Sequence, residues 1–208
     1  MVVPPEGIEL DEDSPWDPWT PQEVAARLRG CPARWYVVAG WGVDVAAGRV
    51  TREHSDLEIA VARDDFPLVR AALADLEPLV VGAGRGWPVD SPAYDEHFQT
   101  WFRDPSTGLF HVDVFRDPHE GGTWICRRDP AIRRPYAEVL RRSDEGIPYL
   151  APECILLFKA KHGRPKDEAD LATLLPLLDP DARDWLAQAL ARVHPGHPWI
   201  ERVSAGAS

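Results

Sequence analysis

Acids set among apolar residues are the first chemistry the sequence offers. The stretch HSDLEIAV, residues 54–61, alternates as a strand does, so Leu57, Ile59 and Val61 share one face while Asp56 and Glu58 share the other. Two carboxylates held side by side repel, and each drifts toward its protonated form unless a cation or solvent offsets the repulsion. The stretch FHVDVF, residues 110–115, repeats the anomaly: Phe110, Val112 and Val114 fall on one face, and His111, Asp113 and Phe115 on the other. If the two strands are neighbours, Asp56, Glu58 and Asp113 form one cluster of hard oxygen donors, which suits Mg2+ or Mn2+ better than zinc. Two such ions can activate an attacking oxygen and steady the leaving oxygens of a displacement at phosphorus. Alternating carboxylates on a solvated sheet face are the ordinary alternative, and a D-x-E pair by itself does not decide between them.

Upstream, VVAGWG (residues 37–42) passes from a strand directly into a helix, with glycines at 40 and 42. Glycine there lets a ligand approach the backbone closely, and free amides at a helix start attract phosphate. Arg52 and His54 follow in the loop before the acids; a local hydrogen bond is the plainer role for each. Trp41 reads as a core or substrate-wall residue.

The elements that must position these residues can be read in outline. TPQEVAARLRG (20–30) has a cap residue, a proline in the first turn and a glycine stop, the punctuation of a short helix. Residues 34–40 form a strand, 41–48 a two-turn helix ended by Gly48, and the acid-bearing strand completes a strand, helix, strand unit. Residues 64–77 have Phe66, Val69, Leu73 and Leu76 at helical spacing, with Asp64 and Asp65 near the positive end of the helix. PLVV (78–81), EHFQTWFR (96–103) and GLFHVDVFRD (108–117) are strand-like, the last two joined through DPSTG as a hairpin, so the sheet is expected to be mixed. Beyond residue 118, PECILLFKAKHG, KDEADLATLLPLL and PDARDWLAQALARV read as helices. The expected organisation is an N-terminal arm over 1–20, pinned by Trp16 and Trp19, a domain over 21–118, and a mainly helical region over 119–208.

Composition narrows the function. Of 208 residues, 44% are hydrophobic and 27% charged, and no apolar run approaches the roughly 20 residues that span a bilayer. The acidic, proline-rich start lacks the pattern of a secretory signal, so a cytoplasmic protein is expected. Cys31, Cys126 and Cys154 are widely spaced and odd in number, which fits reduced thiols. A net charge of −11 argues against a basic nucleic-acid-gripping surface and favours a cationic small molecule as partner, although the same acidity also serves solubility. Rival motifs fail on context. GAGRGW (82–87) lacks the last glycine of a dinucleotide fingerprint and runs into Trp-Pro, and neither a G-x-S-x-G elbow nor a Walker lysine loop occurs.

Residues 40–61, GWGVDVAAGRVTREHSDLEIAV, resemble the active-site segment of the nucleotidyltransferases related to DNA polymerase beta, above all the aminoglycoside 2''-nucleotidyltransferases and lincosamide nucleotidyltransferases. The resemblance implies an α+β nucleotidyltransferase fold, with a mixed sheet flanked by helices and a small helical C-terminal region. It also implies that Gly40 and Gly42 flank the nucleotide phosphates, with Trp41 and His54 beside them, that Asp56 and Glu58 bind Mg2+ or Mn2+, and that Asp113 is the third acid. Two departures stand out: the glycine pair is split by Trp41, and the second acid is Glu. FKAKHGRPKDEADL is similar to a helical element of these enzymes whose basic residues face the triphosphate, which nominates Lys159, Lys161 and Lys166; solvated helix charge, with Asp167 and Asp170 as partners, is the competing role. The implied activity is transfer of a nucleoside monophosphate from an NTP, ATP foremost, to a hydroxyl of a small acceptor such as an aminoglycoside-like antibiotic. A toxin-type enzyme acting on tRNA or protein, and a non-catalytic nucleotide-binding module, are the alternatives.

Overall fold

The computed structural model describes residues 4, 6–10 and 14–205; of the N-terminal arm, residues 1–3, 5 and 11–13 lie outside the described ones. Strand β1 (Ile8–Glu9) is followed by helix α1 (Pro21–Arg27), which opens on a capping box between Thr20 and Glu23. Strand β2 (Trp35–Val37) leads into α2 (Ala39–Ala47), closed by Gly48 in the left-handed conformation at φ 66°. Then come β3 (Glu58–Ala62), α3 (Phe66–Ala72), β4 (Glu77–Gly82), β5 (Arg85–Pro88), α4 (Ala93–Glu96), β6 (Gln99–Arg103) and β7 (Phe110–Asp117). The next stretch holds β8 (His119–Glu120), β9 (Thr123–Ile125), β10 (Arg133–Pro135), the short α5 (Tyr136–Val139), β11 (Leu140–Arg142) and β12 (Pro148–Leu150). At two or three residues each, these strands are too short to show an alternating pattern in sequence. Helices α6 (Pro152–Lys159), α7 (Pro165–Leu174), α8 (Pro180–Val193) and α9 (Trp199–Ser204) complete the chain. Among the described residues, no helix is long and apolar enough to cross a membrane.

The chain forms two units. The first comprises the described residues up to Trp35 together with His54–Pro118. Its strands run in the order β1-β5-β4-β6-β7-β3, antiparallel except for the parallel pair β3/β7, so the sheet is mixed. One face packs on α3, whose Phe66 meets Phe102 at 6.1 Å between ring centres, with Ile59, Val112 and Val114 buried beside them. On the other face Leu79, Trp101, Asp113 and Glu58 stand in register across β4, β6, β7 and β3.

A β-bulge changes one expected orientation. Phe102 pairs with Val112 but Arg103 pairs with Phe110, so His111 is the extra residue and Phe110 crosses to the face of Trp101. There Phe110 packs with Leu79 and Trp101, its ring centre 5.2 Å from that of Trp101, under Ile8, Leu10 and Trp16 of the arm. Trp16 also bridges to Phe110, and Trp19 stacks on His111 at 5.3 Å, which is how the arm is pinned. The segment GAGRGW is a hairpin turn: Ala83 and Gly84 both take positive φ, the handedness that suits two twisted strands.

The second unit comprises Tyr36–Glu53 and the residues from His119 onward. Val37 pairs in parallel with Tyr149 of β12, which pairs antiparallel with β11, while β10, β9 and β8 form a separate three-stranded sheet. Helix α2 packs on α6 and α7, α6 on α8, and α8 on α9, around buried Leu156, Leu171, Leu186, Leu190 and Trp199. An ion pair lies inside this core. Lys159 Nζ stands 2.6 Å from Asp170 Oδ2, and Arg52 Nε stands 3.7 Å from Asp170 Oδ1; the Lys159 and Asp170 side chains are 8% and 3% exposed. Removing one member of such a pair strands the other without water, which costs about 3–5 kcal/mol. Lys159→Met is therefore expected to lower unfolding stability by about 3 kcal/mol, and Lys159→Met combined with Asp170→Leu to recover most of it; urea denaturation of the three chains checks both.

Candidate active site

In the first unit, the sequence-predicted acids occupy neighbouring positions. Asp56 lies two residues before β3, which begins at Glu58, and the Asp113 amide donates to the Leu57 carbonyl at 2.8 Å. Glu58 and Asp113 are direct partners in the parallel pair, so their backbones are separated by one strand spacing, about 5 Å. Side chains at partner positions share a face, and like charges placed so are unfavourable. His54 sits half-buried in the loop ahead of Asp56.

Asp113 carries most of the electrostatic tension. It is 2% exposed, and Gln99 Nε2 donates to its Oδ2, whereas Oδ1 is buried and meets no donor at normal geometry, although the Trp101 indole lies directly opposite. Burial first, then the charge of Glu58 and more weakly that of Asp56, push the Asp113 carboxyl well above the usual carboxylate range; the Gln99 hydrogen bond and Trp101 pull the other way. Among the described residues, no group of three or more His, Cys, Asp or Glu side chains is gathered closely enough to hold a metal ion. The donors are carboxylate oxygens, the chemical type that hard divalent cations take, and one of them is a buried acceptor without a donor.

In the second unit the helix start is built differently from the sequence expectation. Ala39, the first residue of α2, takes φ +52°, a left-handed conformation that glycine adopts without cost and alanine does not. The pair that turns the chain into the helix is thus Ala39-Gly40. Gly42 does something else: a Cβ there would stand 2.9 Å from Ile155 Cδ1, so its missing side chain lets α2 approach α6. Gly40 is buried in the first turn and Trp41 is half-buried next to it, and no side chain caps α2. The first-turn amides therefore keep the orientation that suits an anion. Asp44 is buried in the second turn and accepts from Thr51 Oγ1, tying the loop after the helix back to it. Of the three nominated lysines, Lys159 is paired with Asp170, buried and not on a solvated face, and Lys161 and Lys166 are exposed. Asp167 pairs with Arg164 instead of a lysine.

Comparison with known proteins follows the same residues. Residues 22–91 match the family model of the aminoglycoside-2''-adenylyltransferases. That stretch holds Gly40, Asp56 and Glu58 and ends before Asp113. The solution structure of the antibiotic-resistance factor ANT(2'')-Ia is similar with a TM-score of 0.57 at 12% identity, over 82% of this chain and 89% of that one. The crystal structure of ANT(2'')-Ia in complex with adenylyl-2''-tobramycin gives 0.56 at 14%, over 82% and 95%. The lincomycin-bound lincosamide antibiotic adenylyltransferase LnuA gives 0.54 at 18%, over 82% and 100%. The chain has the nucleotidyltransferase fold. No curated protein sequence matches it.

Two residues of this region carry no motif signal. Gln99 is found only once β6 is paired with β7, and Ala39 only once its backbone angle is known.

A folded-state carboxyl pKa above its unfolded value contributes stability at low pH that is lost as the pH rises through the folded pKa. In metal-free buffer at pH 7, Asp113→Asn is therefore expected to raise the melting temperature by about 2–4 °C, the shift that about 1 kcal/mol produces at this size, and the gain should shrink toward pH 3. Ala39→Gly should likewise stabilise by about 1 kcal/mol, by releasing the left-handed alanine. Calorimetric scans of the variants across pH check both.

Proposed function

We propose that the protein is a metal-dependent nucleotidyltransferase that moves a nucleoside monophosphate from an NTP, ATP foremost, to a hydroxyl of a small cationic acceptor. The observation that carries this is the buried Asp113 carboxyl, one oxygen without a donor, in register with Glu58. The match to aminoglycoside-2''-adenylyltransferases and the fold shared with a tobramycin- and a lincomycin-binding enzyme support a small-molecule acceptor. The net charge of −11 supports a cationic one.

In this reading Asp56, Glu58 and Asp113 hold the divalent ions. Bound there, such ions would neutralise triphosphate charge and assist displacement at phosphorus. His54, in the loop ahead of Asp56, lines the nucleotide. The chain's own chemical step falls to Asp113. Its carboxylate takes the proton of the acceptor hydroxyl as that oxygen bonds to the α-phosphorus and the bond to the bridging oxygen of the β-phosphate breaks. Pyrophosphate leaves, and the acceptor carries the nucleoside monophosphate.

The test incubates the purified chain with Mg2+, each labelled NTP, and a panel of aminoglycosides, lincosamides and tRNA. Label is expected on an aminoglycoside from ATP, with Asp56→Asn reducing pyrophosphate release by on the order of 100-fold or more while its circular dichroism stays unchanged. Undiminished release in that variant rejects the metal assignment, and label on tRNA alone rejects the small acceptor.

A further inference from the structure

Strand β6 presents two side chains to the acid face, Gln99 and Trp101, two residues apart. Trp101 faces Asp113 across the register and Gln99 faces Phe115, so the longer Gln99 reaches diagonally to the acid and donates from Nε2 to Oδ2. The amide comes from a fixed place. The Gln99 backbone pairs with Val81 on one side and Phe115 on the other. The segment before it is held by Arg116, whose guanidinium donates to the His97 carbonyl and lies 3.7 Å over the Tyr94 ring, while the Arg116 amide donates to the Phe98 carbonyl at 2.8 Å.

A carboxyl has two equivalent oxygens and a broad, two-fold terminal torsion. Left to itself, Asp113 could turn either oxygen toward an incoming hydroxyl. We propose that Gln99 is a positioning residue for the transfer reaction: by engaging Oδ2 it fixes the Asp113 carboxylate and leaves Oδ1, buried and without a donor, as the oxygen turned toward the ions. The inference rests on the nucleotidyltransferase reading above and specifies how its third acid is aimed. Glutamine suits the task because it offers a neutral N–H donor at every pH, whereas a glutamate there would bring a fourth carboxylate to a face that already carries three.

The experiment compares Gln99→Met, which keeps length without a donor, and Gln99→Glu with the unaltered chain, measuring kcat and both KM values. The nitrogen–proton spectrum of the Gln99 side-chain amide is also recorded in the nucleotide-free protein and in Asp113→Ala. Gln99→Met is expected to lower kcat about 10–100-fold, as loss of a supporting hydrogen bond at a metal site does, with both KM values within about twofold and the melting profile retained; Gln99→Glu should lose at least as much. The Gln99 amide signals should move to free-amide positions in Asp113→Ala. Unchanged kcat in Gln99→Met beside an inactive Asp56→Asn overturns the positioning role and leaves the transfer reading standing. A loss confined to KM or to the folded fraction overturns it as well, as do amide signals indifferent to Asp113. Absence of pyrophosphate release from the unaltered chain overturns both proposals together.

Discussion

In a parallel pair, each residue of one strand has a fixed partner on the next, and the partner of Glu58 is Asp113. That single register choice sets the character of the first unit. A shift of one residue would bring Glu58 opposite Val112 or Val114 and dissolve the charge contact, but it would also turn Ile59 and Val61 away from the face where Phe66 and Phe102 pack. The apolar side of the sheet therefore holds the acids together against their repulsion. The hydrophobic core is large and the repulsive pair small, so the fold can sustain an arrangement that the carboxylates alone would not adopt.

Burial makes this arrangement chemically useful. A solvated carboxylate facing another would shed most of the repulsion into water, whereas Asp113 lies beneath the sheet surface with Trp101 on one side and Glu58 on the other, and its proton affinity rises accordingly. The arm adds to the enclosure of that face by laying Ile8, Leu10 and Trp16 over Leu79 and Phe110. The bulge at His111 has a part in it, since only the displaced register brings Phe110 to the side where the arm lies. Without the extra residue, Phe110 would join Val112 on the α3 side and Trp16 would lose one of its two aromatic neighbours.

What could be read from the chain follows from periodicity. Alternation over residues 54–61 put Asp56 and Glu58 on one face of their strand, and alternation over 110–115 put Asp113 on the face opposite Val112 and Val114, because a two-residue repeat needs no partner to be visible; that the two strands are neighbours took the pairing. Capping residues and the Pro and Gly stops likewise marked α1, α2 and α8. The features that escaped are those in which one residue departs from its local pattern for a tertiary reason. Phe110 obeys the alternation in sequence and breaks it in space, Gly42 looks like a ligand-approach glycine and serves packing against Ile155, and Gln99 acquires its partner only through the antiparallel register. Lys159 was ambiguous for the same reason: a lysine four residues after Ile155 on a helix can face solvent or core, and only the position of Asp170 decides it.

Ala39 shows how such a departure can still carry information. A left-handed alanine costs about 1–2 kcal/mol, and nothing about α2 as a helix calls for it, since an extended residue at Val38 followed by a right-handed Ala39 would start a helix equally well. The strained angle fixes the direction in which the chain leaves the strand at Gly40, and no side chain caps the helix that follows. Strain of this kind persists where surrounding structure over-determines it. Here Gly42 against Ile155 and Asp44 against Thr51 hold the following turn from both ends. The backbone at the start of α2 is thus set by packing behind it.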